Sequence, residues 1–258
     1  MAQKVLRLSP HRLNLYRQCP RRYHYQYVEN LGRLYAKPRA YFSFGSALHR
    51  ALRDFYRLGG PFRRPVEDLL ALYHAAWQGA GFPSPESEAE ARREGEEILR
   101  TYHAKHKHIN SRTIFVERQP ECPLTPHLRL FGQLDRLDLT AEGEYEVVDY
   151  KSGRHQDESH RIQLLIYGYL VRQTYALFQA PLNLTIYYLR DNYPQAVVPM
   201  PGEEERVLDE VKAVGEEILT AQHFPAQPGP LCATCDFNVI CPDSAFRPGD
   251  EPLEPVPF

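Results

Sequence analysis

Hydrophobic and polar positions divide the chain into two regimes. Through about residue 107 they repeat at helical spacing. Ser9-Pro10 reads as an N-cap followed by proline at the first helical position, opening a helix to about Gln18, where Cys19-Pro20 breaks it. Tyr23 and Tyr27 keep helical spacing through 21–30. Residues 44–57 (FGSALHRALRDFYR) form an amphipathic helix stopped by Gly59-Gly60-Pro61, and helices over 66–79 and about 86–107 follow. Beyond these, period-two alternation takes over. It predicts strands over 113–119, over 127–140 with an interruption at Gly132, and over 145–151, with a turn at 141–144. A long helix over 156–178, a strand over 182–189 and a helix over 203–221 come next, and from Phe224 the chain becomes a proline-rich tail.

This order predicts an α/β arrangement with helical additions. The 258 residues fit a single domain: a helical, basic lobe over 1–110, an α/β core over 111–222 and a cysteine-rich tail over 223–258. No run of about 18 apolar residues is present, and MAQKVLRLSP is too polar for a secretory signal, so the chain reads as cytoplasmic.

The net charge of -2 conceals an asymmetry. Residues 1–64 hold 14 Lys/Arg against only Glu29 and Asp54, while the rest of the chain is strongly acidic. A basic segment of that strength suits a polyanionic partner, or pairs with the acidic remainder. Within it, Arg12, Arg17, Arg21 and Arg22 interleave with Tyr16, Tyr23 and Tyr27, a composition suited to single-stranded nucleic acid. The tyrosines could equally pack inward.

The five cysteines are an odd number, which argues against a disulfide framework. Cys232, Cys235 and Cys241 read C-x₂-C-x₅-C-P, and Cys19, also followed by proline, offers a fourth thiolate from the other end of the chain. Four thiolates suit zinc or an iron–sulfur cluster. Cys122 has no place in the pattern.

The stretch VVDYKSG at 147–153 carries the most chemistry. On a strand Asp149 and Lys151 point the same way, and a hairpin through 141–144 brings Asp135 beside Asp149. Two converging carboxylates make an oxygen-rich site for Mg²⁺ or Mn²⁺, and the carbonyl of Tyr150 could add a ligand oxygen. Such an ion serves phosphodiester hydrolysis, and Lys151 would orient water or stabilise charge. Gln163 and Tyr167, four apart, share a helical face; His49 lies on the apolar side of its helix; Glu117 could add an outer carboxylate.

These residues together resemble the P-D-(D/E)-x-K nuclease superfamily, specifically its RecB-like branch. Asp135 matches the first acidic position, in the Gly-x-x-Asp context (Gly132, Asp135) that this branch often shows. Asp149 and Lys151 match the (D/E)-x-K pair, and Gln163 and Tyr167 match the Gln-x-x-x-Tyr motif of the following helix. His49, in GSALH, matches a metal-ligating histidine. The cysteine pattern resembles the iron–sulfur clasp of AddB-type nucleases and of CRISPR-associated adaptation exonucleases, and LSPHRLNLYRQCPRRYHYQY resembles the segment that carries its first cysteine.

The resemblance spans about residues 6–243. It implies a restriction-endonuclease-like core, a mixed sheet flanked by helices, with a helical N-terminal lobe and a C-terminal cysteine clasp. It implies Mg²⁺ or Mn²⁺ on His49, Asp135, Asp149 and Tyr150, with Lys151, Gln163 and Tyr167 completing the catalytic set, and a [4Fe–4S] cluster on Cys19, Cys232, Cys235 and Cys241. The activity implied is a DNA exonuclease preferring single strands, 5′→3′ by family analogy, with Arg17, Arg21, Arg22 and Tyr23 on the DNA. Its setting would be repair, recombination or CRISPR adaptation, beside a repair helicase or adaptation proteins. No G-x-x-x-x-G-K-[ST] signature is present, which points to a stand-alone nuclease. The alternative is a nuclease fold serving as a non-catalytic DNA-end-binding or partner-docking module; the intact Asp135/Asp149/Lys151 set argues against it.

Overall fold

The computed structural model describes residues 5–153 and 158–246; the start of the expected 156–178 helix and the end of the tail lie outside them. The chain opens with β1 (Leu6–Leu8), α1 (Pro10–Gln18), α2 (Pro20–Tyr23), a π-helical turn (His24–Val28) and α3 (Gly32–Tyr35). Three longer helices follow: α4 (Ala40–Arg57), α5 (Val66–Ala76) and α6 (Pro85–His106). Then come β2 (Arg112–Arg118), β3 (Glu121–Thr125), β4 (Leu128–Phe131), β5 (Leu134–Leu139) and β6 (Tyr145–Lys151). The rest is α7 (Glu158–Tyr175), β7 (Leu182–Tyr188), β8 (Tyr193–Ala196), α8 (Glu203–Thr220) and a 3₁₀ turn at Pro230–Cys232.

Local chemistry explains the helix starts. The Ser9 hydroxyl accepts from Arg12 N, and Pro10 supplies the preset φ of a first helical residue. Ser84 and Ser87 form a capping box at α6, whose first turn carries Glu86 and Glu88 and whose last turn carries His103, Lys105 and His106, each sign favourable to the helix dipole. Helix α4 begins four residues before the predicted start, because Ala40 and Phe44 are already buried.

The fold is mixed α/β, with two mixed sheets flanked by helices. The larger runs β2-β5-β6-β7-β8, antiparallel except for the parallel β6–β7 pair; the smaller runs β1-β4-β3. The stretch 127–140, expected as one interrupted strand, is two strands in different sheets. The chain leaves the small sheet after Phe131, Gly132 N donates to Pro120 O, and Leu134 enters the large sheet. Strands β1, β3 and β8 have no counterpart in the sequence prediction. They are short edge strands, and β3 and β8 carry prolines at 123 and 194.

Each face of the large sheet has its own core. Leu8, Leu13, Tyr16 and Tyr23 pack with Leu164, Leu165 and Leu170 of α7 and with Val147 and Ile186 of the sheet. Leu48, Phe55, Leu69, Tyr73 and Leu99 of α4–α6 pack with Val148, Tyr150 and Tyr187 on the other face. Residues of the expected N-terminal lobe therefore lie against both faces.

Candidate active site

The two faces meet at the end of β6. The hairpin expected through 141–144 forms, with Arg136 opposite Val148 and Leu137 opposite Val147. Asp135 is thereby set beside the end of β6, where its Oδ2 accepts from Tyr150 N at 2.8 Å and its Oδ1 lies 3.2 Å from His49 Nδ1. His49 reaches Asp135 from α4. That helix approaches the strand end closely at Gly45, where a Cβ would stand 2.7 Å from Ser152 Oγ.

From the opposite face, α7 presents Gln163 and Tyr167. Lys151 Nζ donates to Gln163 Oε1 at 2.7 Å and lies 2.7 Å from Asp149 Oδ2. Gln163 Nε2 donates to Asp149 Oδ1 at 3.3 Å and to Tyr167 OH at 2.7 Å. One amide thus links the carboxylate, the lysine and the tyrosine. His49, Asp135, Asp149, Tyr150, Lys151, Gln163 and Tyr167 all converge.

Electrostatics separate the two carboxylates. Burial raises the proton affinity of both, but they have different neighbours. At Asp135 that effect is outweighed by the His49 charge and hydrogen bond, the Tyr150 N–H and Lys151, so its pKa is lowered. Asp149 is raised, by burial first and by the Asp135 charge, with Lys151 opposing. Burial alone would lower His49, but the Asp135 charge prevails and its pKa is raised. A divalent cation suits this arrangement: the buried Asp149 carboxylate and the largely covered Asp135 carboxylate repel each other, and lysine and imidazole now offset them. Among the described residues no group of three or more His, Cys, Asp or Glu is placed to hold a metal ion. Mg²⁺ does not require one, since it is commonly held by one or two carboxylates with waters and substrate oxygens.

Glu117 belongs to this neighbourhood. Val116 pairs with Arg136 and Arg118 with Leu134, which leaves Glu117 opposite Asp135. Its φ of 45° is in the left-handed region, unfavourable for a glutamate. Its carboxylate accepts from Arg53 Nη1 at 3.1 Å, and both side chains line a small cavity with His49 and Asp135. Arg53 and Arg136 have no role in the sequence reading. Arg136, 5% exposed, is the more informative: a buried arginine beside the first acidic residue, visible beforehand only as DRLD.

The residues expected on DNA are distributed differently. Tyr23 is 2% exposed and meets Tyr16 edge-on at 5.4 Å, so it is a core residue and offers no face to a base. Arg17 pairs with Glu210 at 2.7 Å, and Arg21 donates to Phe224 O at 2.8 Å. Arg22 lines a pocket with Cys19, Cys232, Cys235 and Cys241. All four cysteines are free thiols there, and burial pushes those of Cys235 and Cys241 up. Cys122 is buried apart from them, in the core under the small sheet.

This fold, with two acidic residues and a lysine at adjacent strand ends, accords with the family match. The chain belongs to the PD-(D/E)XK nuclease superfamily, whose model matches residues 7–242. No curated protein matches it. One similar solved structure is described as the crystal structure of SSO0001. It shares 18% identity, with 92% of this chain and 85% of that chain covered and a TM-score of 0.41. Among the described residues no helix is long and apolar enough to cross a membrane.

Proposed function

We propose that the chain is a Mg²⁺- or Mn²⁺-dependent deoxyribonuclease of the RecB-like branch, an exonuclease acting on single-stranded DNA. The observation that carries this reading is the hydrogen-bonded set Asp149, Lys151, Gln163 and Tyr167, with Asp135 anchored beside it on the Tyr150 N–H. Asp135 and Asp149 would hold the ion, with the Tyr150 carbonyl and His49 completing its protein contacts. When bound, the ion polarises the phosphoryl oxygen and acidifies the attacking water. Lys151, held in place by Gln163, orients that water and faces the charge carried by the non-bridging phosphoryl oxygens. Tyr167 holds the Gln163 amide in the orientation that keeps its oxygen toward Lys151. His49 fixes the Asp135 carboxylate from the α4 side.

The basic N-terminal residues support a polyanionic substrate. Arg17 and Glu210 form an exposed pair, weak enough to open toward a phosphate. Labelled single strands incubated with Mn²⁺ test the assignment. Shortening from one end is expected, and activity that survives Asp149→Ala would overturn it. Strands blocked at the 5′ or the 3′ end read the polarity, for which 5′→3′ is the expected sense.

The four cysteines sharing one pocket support a [4Fe–4S] cluster in a structural role, tying the N-terminal segment to the tail in a helical lobe closed by a cysteine clasp. Anaerobically purified protein is expected to be brown and to contain iron and acid-labile sulfide; zinc alone would refute the cluster. Repair, recombination or CRISPR adaptation is the setting that the resemblance supports.

A further inference from the structure

A second cleft opens on the α4–α6 face of the large sheet, away from Lys151, and encloses about 810 Å³ of empty space with its mouth included. Its floor is the ladder in which Asp138 of β5 stands directly opposite Glu146 of β6, and Thr113 of β2 stands opposite Asp138 on the other side. Cross-strand partners share a face, so the two carboxylates lie side by side, an arrangement that repels unless something between them donates. Asp138 is 1% exposed. Its Oδ2 lies 3.1 Å from Arg136 Nε and accepts from Ser111 Oγ at 3.2 Å. Its Oδ1 has no hydrogen-bond partner among the described residues.

Arg136 does not supply the missing donor: its Nε, near Oδ2, is itself without a hydrogen-bond partner among the described residues. Its Nη1 donates to the hydroxyls of Tyr102 and Tyr150, and its guanidinium lies 3.8 Å from the centroid of the Tyr56 ring. Glu146 accepts from Thr185 Oγ1 at 2.6 Å through Oε1. The walls are aromatic: Tyr56, Phe62, His106 and Tyr187. The cleft thus combines ring faces with carboxylate acceptors, and a buried acceptor left without a donor is costly.

We propose that this cleft is a nucleobase site: a planar nitrogen heterocycle bearing two adjacent N–H donors, as guanine does, enters between the rings and donates to Asp138 Oδ1 and the Glu146 carboxylate. A bare cation would leave the ring walls unused and would meet Lys105 and Arg136, which also line the cleft. Thymine brings a single N–H. The site does not rest on the nuclease reading, because Asp149 and Lys151 face α7 on the other side of the sheet. Tyr56 and Arg136 line both this cleft and the small cavity of His49 and Asp135, so an occupant here lies next to that site.

Calorimetric titration of the full chain in EDTA tests the proposal, with deoxyguanosine, deoxyinosine and thymidine as probes. Deoxyguanosine is expected to bind, deoxyinosine more weakly for want of the 2-amino group, and thymidine at least about tenfold more weakly. Thr113→Phe, which fills the cleft beside Asp138, abolishes binding, and Asp149→Asn leaves it intact. Should Thr113→Phe fail to fold by circular dichroism, the ranking of the three nucleosides on the wild-type chain decides. The oligomers d(TTGTT) and d(TTTTT) on the Asp149→Asn chain separate the sources: a guanine preference in the strand identifies a base of a nucleic acid, and a preference with nucleosides alone identifies a free nucleoside. Equal affinities, no binding of either guanine probe, binding indifferent to Thr113→Phe, or binding lost in Asp149→Asn would each overturn it.

Discussion

Gly132 lies against the ring of Tyr167. A Cβ at position 132 would stand 2.6 Å from Tyr167 Cε1 and 2.9 Å from Cδ1. The glycine three residues before Asp135 is therefore bound to the tyrosine of α7 by close approach. Gly132→Ala is expected to push the ring away, and with it the Gln163 amide that Tyr167 OH accepts from. Overpacking of this kind costs about 1–3 kcal/mol. Thermal unfolding should show that loss, and cleavage of single strands should fall further than stability does, since Lys151 depends on Gln163. Full activity in Gly132→Ala would show that Tyr167 is not a positioning residue.

The raised Asp149 pKa makes a prediction of opposite sign for stability and activity. A carboxyl whose folded value exceeds its unfolded value carries a penalty in the folded state above both values. Asp149→Asn removes the charge, and in metal-free buffer at neutral pH its melting temperature is expected to exceed that of the wild type. Mn²⁺ should raise the melting temperature of the wild-type chain, because a ligand bound only by the folded state stabilises it by mass action. The variant should lose both the Mn²⁺ response and the nuclease activity. An unchanged Mn²⁺ response in Asp149→Asn would remove Asp149 from the ion.

Gln163 donates to Asp149 and Tyr167 and accepts from Lys151, so its substitutions should be graded. Gln163→Ala leaves one Asp149 oxygen and the lysine without that amide, and a loss in kcat of about tenfold to hundredfold is expected, with KM for DNA little changed. Gln163→Glu keeps an acceptor for Lys151 but sets a third acid beside Asp149, which should shift the pH–rate profile upward as well as lower kcat. Identical profiles for Gln163→Glu and wild type would mean that the side chain only fills space.

The contrast between these residues and the rest shows what could be read from the chain. Asp149, Lys151, Gln163 and Tyr167 were legible because each is fixed by its own element: period two on β6 and a four-residue step on α7. The long helices were legible for the same reason, with Ser9 and Ser84 marking their starts. Arg136 was not, because its meaning depends on three tyrosines from α4, α6 and β6 that no local pattern connects. Glu117 was visible as a residue, but its left-handed backbone and its Arg53 partner were not. The two-sheet arrangement was hidden because one residue pair, Gly132-Gln133, looks like a blemish in a strand and is a change of sheet. Tyr23 was misread as a DNA contact because composition cannot tell a stacking platform from a core tyrosine.

Polar contacts hold the tail to the N-terminal region, apart from the cluster proposed on the cysteines. Arg39 pairs with Asp236 at 2.5 Å, Lys37 donates to Asn238 Oδ1 at 2.8 Å, and Arg21 N donates to Pro225 O at 3.1 Å. Cys19→Ser should therefore lower the melting temperature and abolish iron binding without releasing the tail to protease. Arg39→Ala combined with Cys19→Ser removes the Arg39–Asp236 pair as well as the cysteine, and limited proteolysis should then cut near residue 224. Cleavage there in Cys19→Ser alone would show that the polar contacts do not hold the tail.

His106 carries the pH prediction. Burial chiefly holds its pKa down to about 4, with Arg136 and Lys105 adding to the effect and the hydrogen bond to the Tyr102 carbonyl opposing it. The ring stacks on Tyr102, with centroids 4.0 Å apart and planes 15° from parallel, and Nδ1 lies 2.8 Å from Tyr102 O. In the unfolded chain a histidine protonates near 6.5. Between that value and about 4 the unfolded state binds more protons than the folded state, so this contribution to stability rises with pH. It is fully present above about 6.5 and is lost as pH falls toward 4. His106→Phe keeps a stacking ring without the titrating nitrogen. Urea unfolding at intervals from neutral pH down to about 4 should give a steeper decline for wild type than for the variant, with the difference confined to this window. Parallel declines would mean that the imidazole is charged against Tyr102 in the folded protein, where Arg136 and Lys105 already make a further positive charge unfavourable.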